Sequence, residues 1–569
     1  MTIRITRIAR RRTGFALATA VATAAALLSA CTSGGTRNSA ATSSAAVPVR
    51  QGGAIVVGAE QEPDCADWIA TCSGAVWGTY LMDVPTLPRV FVPRKSGDAW
   101  APVPSEVMAG EPTVSMDGGK QKVTYQISPA AVWSDKVPIS SADLKYTALQ
   151  IRDGKDVLVK AGYDRIESVD TPGPKTAVIT FSKPYANWKA LFSDTSGFLP
   201  SHLLEGKDRN AEMKDGYSFS GGPWKIESWK RGASVTLVPN PNYWGEKPKL
   251  DKVTFQFTAD TAAAYQAFKS GQLDALYPTP QLDSADQIRN GLQNAGSQID
   301  PTSGNLEALW MNNGKFPFDS APFRQAVSYA VDRKAIVTRL YGSLGVTEPA
   351  QSFITPMMRQ YSGNDFSRYT LDLGKVTSLM QGAGWAKGPD GIWVKDGKRA
   401  SFSVASVAGN KRRELTEQIL QQQLKTAGFE LTIANTTAAE LFGKVTSQGT
   451  FQLGLWALVD TFPQPRLDTS FGTPAIPSAA NGNSGLNFAR IGFPDLDSAL
   501  ADFGTNLDEK ARIELAKKVD SLLAREASSL PLDAVPNILL WNRKIGGPLA
   551  INPSSGPWWN LAQWGLAAA

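Results

Sequence analysis

Between residues 401 and 456 the spacing of apolar positions changes repeatedly, and each change marks an element. Residues 401–407 alternate as a strand does, and 412–426 place Leu415, Ile419 and Leu424 on one side of a helix that Gly428 stops. Residues 429–433 return to strand, 438–446 read as helix and 451–456 as strand. Alternation at this spacing predicts a mostly parallel sheet covered by helices, with right-handed crossovers. Ligands on such sheets sit beyond the carboxyl ends of the strands. Asp460, four residues past Trp456, lies at such an end.

Other stretches carry the same signals. Residues 53–59 read as a strand that delivers Glu60, Glu62 and Asp64 into a loop. Strand 253–257, helix 261–269 closed by Gly271, and strand 273–277 make a β-α-β unit. Residues 320–341 are helical: Asp319 or Ser320 caps them, Pro322 fits the first turn, Val327, Ala330 and Val331 share a face, and Asp332 restarts the helix. Residues 75–214 are irregular and rich in Pro and Trp, with alternation at Val123, Tyr125 and Ile127 and a capped helix near Ser141. This region reads as a satellite lobe.

The first 30 residues hold five arginines and no acid, followed from Phe15 by an apolar run too short to span a bilayer. The run ends in Leu28-Ser29-Ala30-Cys31, a lipoprotein export signal, so cleavage is expected to leave Cys31 as a lipid-carrying N-terminus that anchors the protein to the membrane. The rival reading is an ordinary secretory signal with a chance cysteine. Arg11-Arg12-Thr13-Gly14-Phe15 also loosely resembles a twin-arginine signal. Residues 32–51, almost wholly small or polar, cannot bury enough surface to fold and are expected to form a flexible tether, with globular sequence starting near Gly53.

Removing residues 1–30 lowers the formal charge from +6 to +1, which leaves no basic field to argue for nucleic acid. With 569 residues the chain exceeds a single core, and two or three lobes are expected. Of three cysteines, Cys31 is assigned to lipid, and Cys65 and Cys72 are close enough to bridge in an oxidising compartment. A metal or redox role for that pair lacks the two-residue spacing and any nearby histidine. The one histidine, His202, has no partner set for a transition metal, so no metal or other cofactor is expected. No Gly-x-Ser-x-Gly elbow, His-Glu-x-x-His or P-loop occurs, and Gly382-Ala383-Gly384 follows a helix instead of a strand, so it reads as a turn. Most of the sixteen tryptophans read as structural; Trp456 is the candidate cleft aromatic because it adjoins Asp460.

Four separated segments resemble the extracellular solute-binding proteins of family 5, the peptide-binding components of ABC importers. They are Val123-Thr124-Tyr125 with Val132-Trp133-Ser134-Asp135; Gly221-Gly222-Pro223-Trp224 with Asn240-Pro241-Asn242-Tyr243-Trp244; Met311-Asn312-Asn313 through Phe323-Arg324-Gln325-Ala326 to Asp332-Arg333; and Gly382-Ala383-Gly384-Trp385 with Asp390-Gly391-Ile392-Trp393. The resemblance implies an α/β type II periplasmic-binding-protein clamshell: two lobes joined by a hinge, plus an extra N-terminal lobe. After the signal (1–30) and tether (31–52), the plan places lobe I at 53–74 and 216–300, extra lobe II at 75–215, lobe III at 301–530 and a return segment to lobe I at 531–569.

The implied activity is that of a monomeric, lipid-anchored receptor at the extracytoplasmic face of the cell membrane. It would deliver oligopeptides or peptide-like solutes to a permease driven by ATPase subunits, and would not be an enzyme. In the peptide binders a cleft aspartate pairs with the peptide α-ammonium, and Asp460, after Leu455-Trp456-Ala457-Leu458-Val459, lies in the matching region. The alternative keeps the fold but makes the protein an envelope lipoprotein that binds a glycolipid or glycan, or regulates envelope synthesis, without transport.

Overall fold

The computed structural model describes residues 47–568 apart from 75, 97–98, 194–195, 281, 290–291, 438–439, 461 and 482–484. The export signal and Cys31 lie outside the described residues. Among the described residues no helix is long and apolar enough to cross a membrane.

Lobe I is built on a seven-stranded sheet. At its centre Ala54–Ala59 runs parallel to both Lys252–Phe257 and Ala275–Leu276. The expected β-α-β unit is therefore present, with the earlier strand inserted between its two strands. Its helix, Thr261–Lys269, starts where the Asp260 side chain accepts the Ala263 N–H and turns its Ala264, Tyr265 and Phe268 face inward. The flanking pairings, with Ser234–Pro239 on one side and Asn537–Asn542 on the other, are antiparallel.

Lobe III holds a five-stranded sheet in the order Glu430–Ile433, Ser401–Ala405, Leu453–Val459, Asn305–Met311, Leu530–Ala534. The first three strands are parallel, as expected, but the last two join antiparallel, so the sheet is mixed and not mostly parallel. The reason lies in how those two strands arrive. Parallel neighbours need a crossover, usually a helix. Asn305–Met311 instead enters directly from lobe I strand Ala295–Asp300, and Leu530–Ala534 leaves directly into lobe I strand Asn537–Asn542. Two short connections, 301–304 and 535–536, thus carry the chain between the sheets.

Helix Lys411–Ala427 covers the parallel side, capped by Asn410 and stopped by Gly428 at φ +93°, where an added Cβ would come within 2.8 Å of the Trp393 indole nitrogen. Leu420 and Leu424 form its buried stripe, while the expected inward residues Leu415 and Ile419 are only half-buried at its flank. Helix Ala321–Ala330 breaks before Asp332, whose side chain caps the next helix, Arg333–Tyr341.

Lobe II carries a four-stranded antiparallel sheet, Thr113–Asp117, Lys120–Gln126, Thr176–Phe181 and Ile166–Gly173, with Val123, Tyr125 and Ile127 in its core. Helix Ser141–Asp153 begins in a capping box between Ser140 and Asp143. The tether expected over 31–52 ends earlier than the sequence suggested. Val47 bridges to Gly547, and Val49–Arg50 pairs with Gly565–Ala567 in a three-stranded sheet, so the chain is already folded at Val47.

Candidate functional site

Strand Leu453–Val459 ends at Asp460, whose backbone N–H donates to the Gly304 carbonyl at 2.9 Å and so fixes the residue against the connection between the two large sheets. Its carboxylate accepts hydrogen bonds from the Thr355 hydroxyl and the Arg466 backbone N–H, each at 3.1 Å, and from the Thr355 backbone N–H. The side chain is 3 % exposed. Burial pushes its pKa up to about 6, with these hydrogen bonds and the Arg466 charge working in the opposite direction.

Asp460 lines a cavity of about 320 Å³ with walls from three stretches of chain: Trp68 and Ser73, then Leu158 to Ser196, then Val459 to Thr469, with Ser554 added from the return segment. A second, largely apolar space of about 640 Å³, walled by residues such as Pro474, Leu486 and Leu500, continues it. Leu158, Val159, Ala161, Asp468 and Thr469 line both. Over this space the stretch around Arg165 and Ala186 meets the stretch around Asp468 and Gly504 through an Arg165–Asp468 ion pair at 3.3 Å and a hydrogen bond from Ala186 N–H to the Gly504 carbonyl at 3.1 Å.

Trp456 does not line the cavity. It is 4 % exposed, stacks on Trp310 at 6.2 Å, meets Phe442 and Phe451 edge-on, and accepts the Trp310 indole N–H on its carbonyl at 2.8 Å. Its strand is covered on both faces, so the ring goes to the core of lobe III and the cleft role expected of it is withdrawn.

Cys65 and Cys72 are disulfide-bonded, with Cα atoms 5.8 Å apart. The loop they close is pinned from inside by Asp67, which is fully buried and takes the Arg209 guanidinium at 2.8 Å and the Ile69 N–H at 3.2 Å. Trp68 and Ile69, next along the loop, face the cavity. Sequence reasoning missed both; the signal available was a tryptophan between two cysteines. His202 pairs with Asp135 at 2.8 Å.

A second buried carboxylate in lobe III has a different environment. Glu307, on Asn305–Met311 and 1 % exposed, is gripped by Arg412 and by Arg413, whose Nε lies 3.1 Å away. Burial alone would raise its pKa, but the charges and hydrogen bonds of the two arginines outweigh burial and hold it below the usual glutamate value.

Residues 104–473 match the family model for bacterial extracellular solute-binding proteins, family 5, middle region. The chain is 27 % identical over 434 residues to the oligopeptide-binding protein OppA of Mycobacterium tuberculosis, covering 73 % of this chain and 69 % of that one. Its fold is similar to that of a periplasmic EDTA-binding protein, EppA, with a TM-score of 0.80 at 21 % identity over 94 % of this chain and all of the other. It is also similar to the oligopeptide-binding protein AppA from Bacillus subtilis, solved with a nonapeptide, with a TM-score of 0.78 at 22 % identity over 92 % of this chain and all of that one.

Proposed function

The chain belongs to the bacterial extracellular solute-binding proteins of family 5, and on that premise we propose that it is the lipid-anchored receptor of an ABC importer. It captures oligopeptides with a free N-terminus between its lobes and presents them to a membrane permease. A solute-binding protein of this family is not an enzyme, and its work is selective capture and release. The connections 301–304 and 535–536 act as the hinge, and closure brings lobe II against lobe III around the ligand. Relatives named for oligopeptide binding support the peptide assignment.

The observation that carries this reading is Asp460: a carboxylate buried on a cavity wall, held by hydrogen bonds from Thr355 and the Arg466 backbone and raised toward neutral pH by desolvation. A peptide α-ammonium entering that space gains a charge-assisted partner, and Asp460 gains a counter-charge. Hydrogen bonds directed at the peptide main chain would add affinity while tolerating varied side chains.

Calorimetric titration of wild type and Asp460→Asn with a peptide and its N-acetylated form tests the assignment. The free peptide is expected to lose about 2–5 kcal/mol of binding, and the acetylated one nothing, because it has no ammonium to leave unpaired. Equal loss for both would make Asp460 structural. The anchor has its own test: Cys31→Ala should move the exported protein from the membrane fraction to the soluble fraction.

A further inference from the structure

Two polar side-chain atoms on the cavity wall are buried without a hydrogen-bond partner among the described residues: the indole N–H of Trp68 and the amide oxygen of Asn187. A buried indole N–H ordinarily finds an acceptor, and leaving one unmade costs free energy, so each such group calls for an explanation. Here one is a donor and one an acceptor, both neutral, and both line the cavity that holds Asp460. That set complements a peptide unit, which offers one C=O and one N–H.

The donor is also unusually well held. Cys65–Cys72 closes its loop, Asp67 next to it is locked to Arg209, the Trp68 carbonyl accepts the Ser73 hydroxyl at 3.0 Å, and the Ile69 carbonyl accepts the Leu158 N–H at 2.8 Å, tying the loop to the lobe II wall. A donor fixed in this way loses little freedom when a ligand arrives, so its hydrogen bond adds to affinity with a small ordering cost.

We propose that Trp68 is a ligand-binding contact, donating its indole N–H to a main-chain carbonyl of the bound peptide while Asn187 accepts a main-chain N–H, and that the Cys65–Cys72 bridge is a positioning device for Trp68. This rests on the peptide reading above. It deepens that reading by adding recognition of the uncharged peptide group to recognition of the terminal ammonium by Asp460.

The test begins with an equimolar pool of synthetic tri-, penta- and nonapeptides with free N-termini, screened against the full exported protein by native mass spectrometry. The tightest member is then titrated calorimetrically. Trp68→Phe, which keeps the ring and removes the donor, is expected to weaken binding about tenfold, with the thermal midpoint unchanged. Replacing single peptide bonds of the ligand by esters, which deletes one N–H at a time, should at one position weaken binding to wild type but not to Asn187→Ala. A merely structural role for Asn187 would not produce that pattern. Cys65→Ser with Cys72→Ser should weaken binding in the wild-type background and add nothing in Trp68→Phe. Equal added loss in both backgrounds overturns the positioning role. Binding by Trp68→Phe within twofold of wild type, while Asp460→Asn still fails, overturns the Trp68 contact and leaves the peptide reading standing. If no peptide in the pool binds wild type, both fall together.

Discussion

Glu307 and Asp460 are both almost wholly buried carboxylates, one within strand Asn305–Met311 and the other just past its neighbour Leu453–Val459. One lies between two guanidinium groups and is kept ionised. The other takes hydrogen bonds from Thr355 and the Arg466 backbone and feels one arginine charge, yet burial still pushes it toward its protonated form. Burial alone therefore says little about function. What separates the two acids is how far the charges around each offset its burial: two guanidinium groups outweigh it at Glu307, whereas the Arg466 charge and the hydrogen bonds at Asp460 do not.

The largest expected effect comes from breaking the sated site. Glu307→Gln leaves Arg412, itself buried, without its carboxylate, and should cost about 3–5 kcal/mol of stability in urea unfolding. A loss below about 1 kcal/mol would erase the distinction drawn here. Asp460→Asn should act oppositely in ligand-free protein. A carboxylate whose folded pKa of about 6 exceeds the ordinary 3.8 loses stability as pH rises between those values. The asparagine variant escapes that loss, so it should be more stable than wild type at pH 7 by about 1–3 kcal/mol, with the advantage vanishing near pH 4. Glu307 shows the reverse slope: its contribution is present at neutral pH and is lost on acidification through its lowered pKa.

Ligand binding sharpens the contrast further. An ammonium needs Asp460 ionised, so affinity for a free-N-terminus peptide should fall roughly tenfold from pH 7.5 to pH 5, while that of an N-acetylated peptide stays flat. The smallest effect is a control for proximity without burial. Lys334 and Glu348 lie 2.7 Å apart but are 64 % and 69 % exposed, and replacing both with alanine should change stability by less than about 0.5 kcal/mol.

Local periodicity sufficed for the elements whose partners are near in sequence: the β-α-β unit around Thr261–Lys269, the paired helices broken at Asp332, and the helix stopped by Gly428. It failed where pairing is remote. The antiparallel entry of Asn305–Met311 and Leu530–Ala534 depends on chain paths between lobes, and the strand at Val49–Arg50 finds its partner at the opposite end of the sequence. Trp456 illustrates a second limit, because in a strand covered on both faces alternation cannot say which side meets the cavity. The position of Asp460 just past a strand was legible from periodicity, and its burial on a cavity wall was not. Trp68 and Asn187 were not, since an unmatched donor or acceptor becomes visible only once every neighbouring partner has been counted.

The short pairing of Val49–Arg50 with Gly565–Ala567 also decides how the body bears mechanical load. Any pull on the segment before Val47 is transmitted first to this clasp, where the two ends of the folded chain lie side by side. Strain applied there would be spent unzipping the clasp before it reached the two connections between the large sheets.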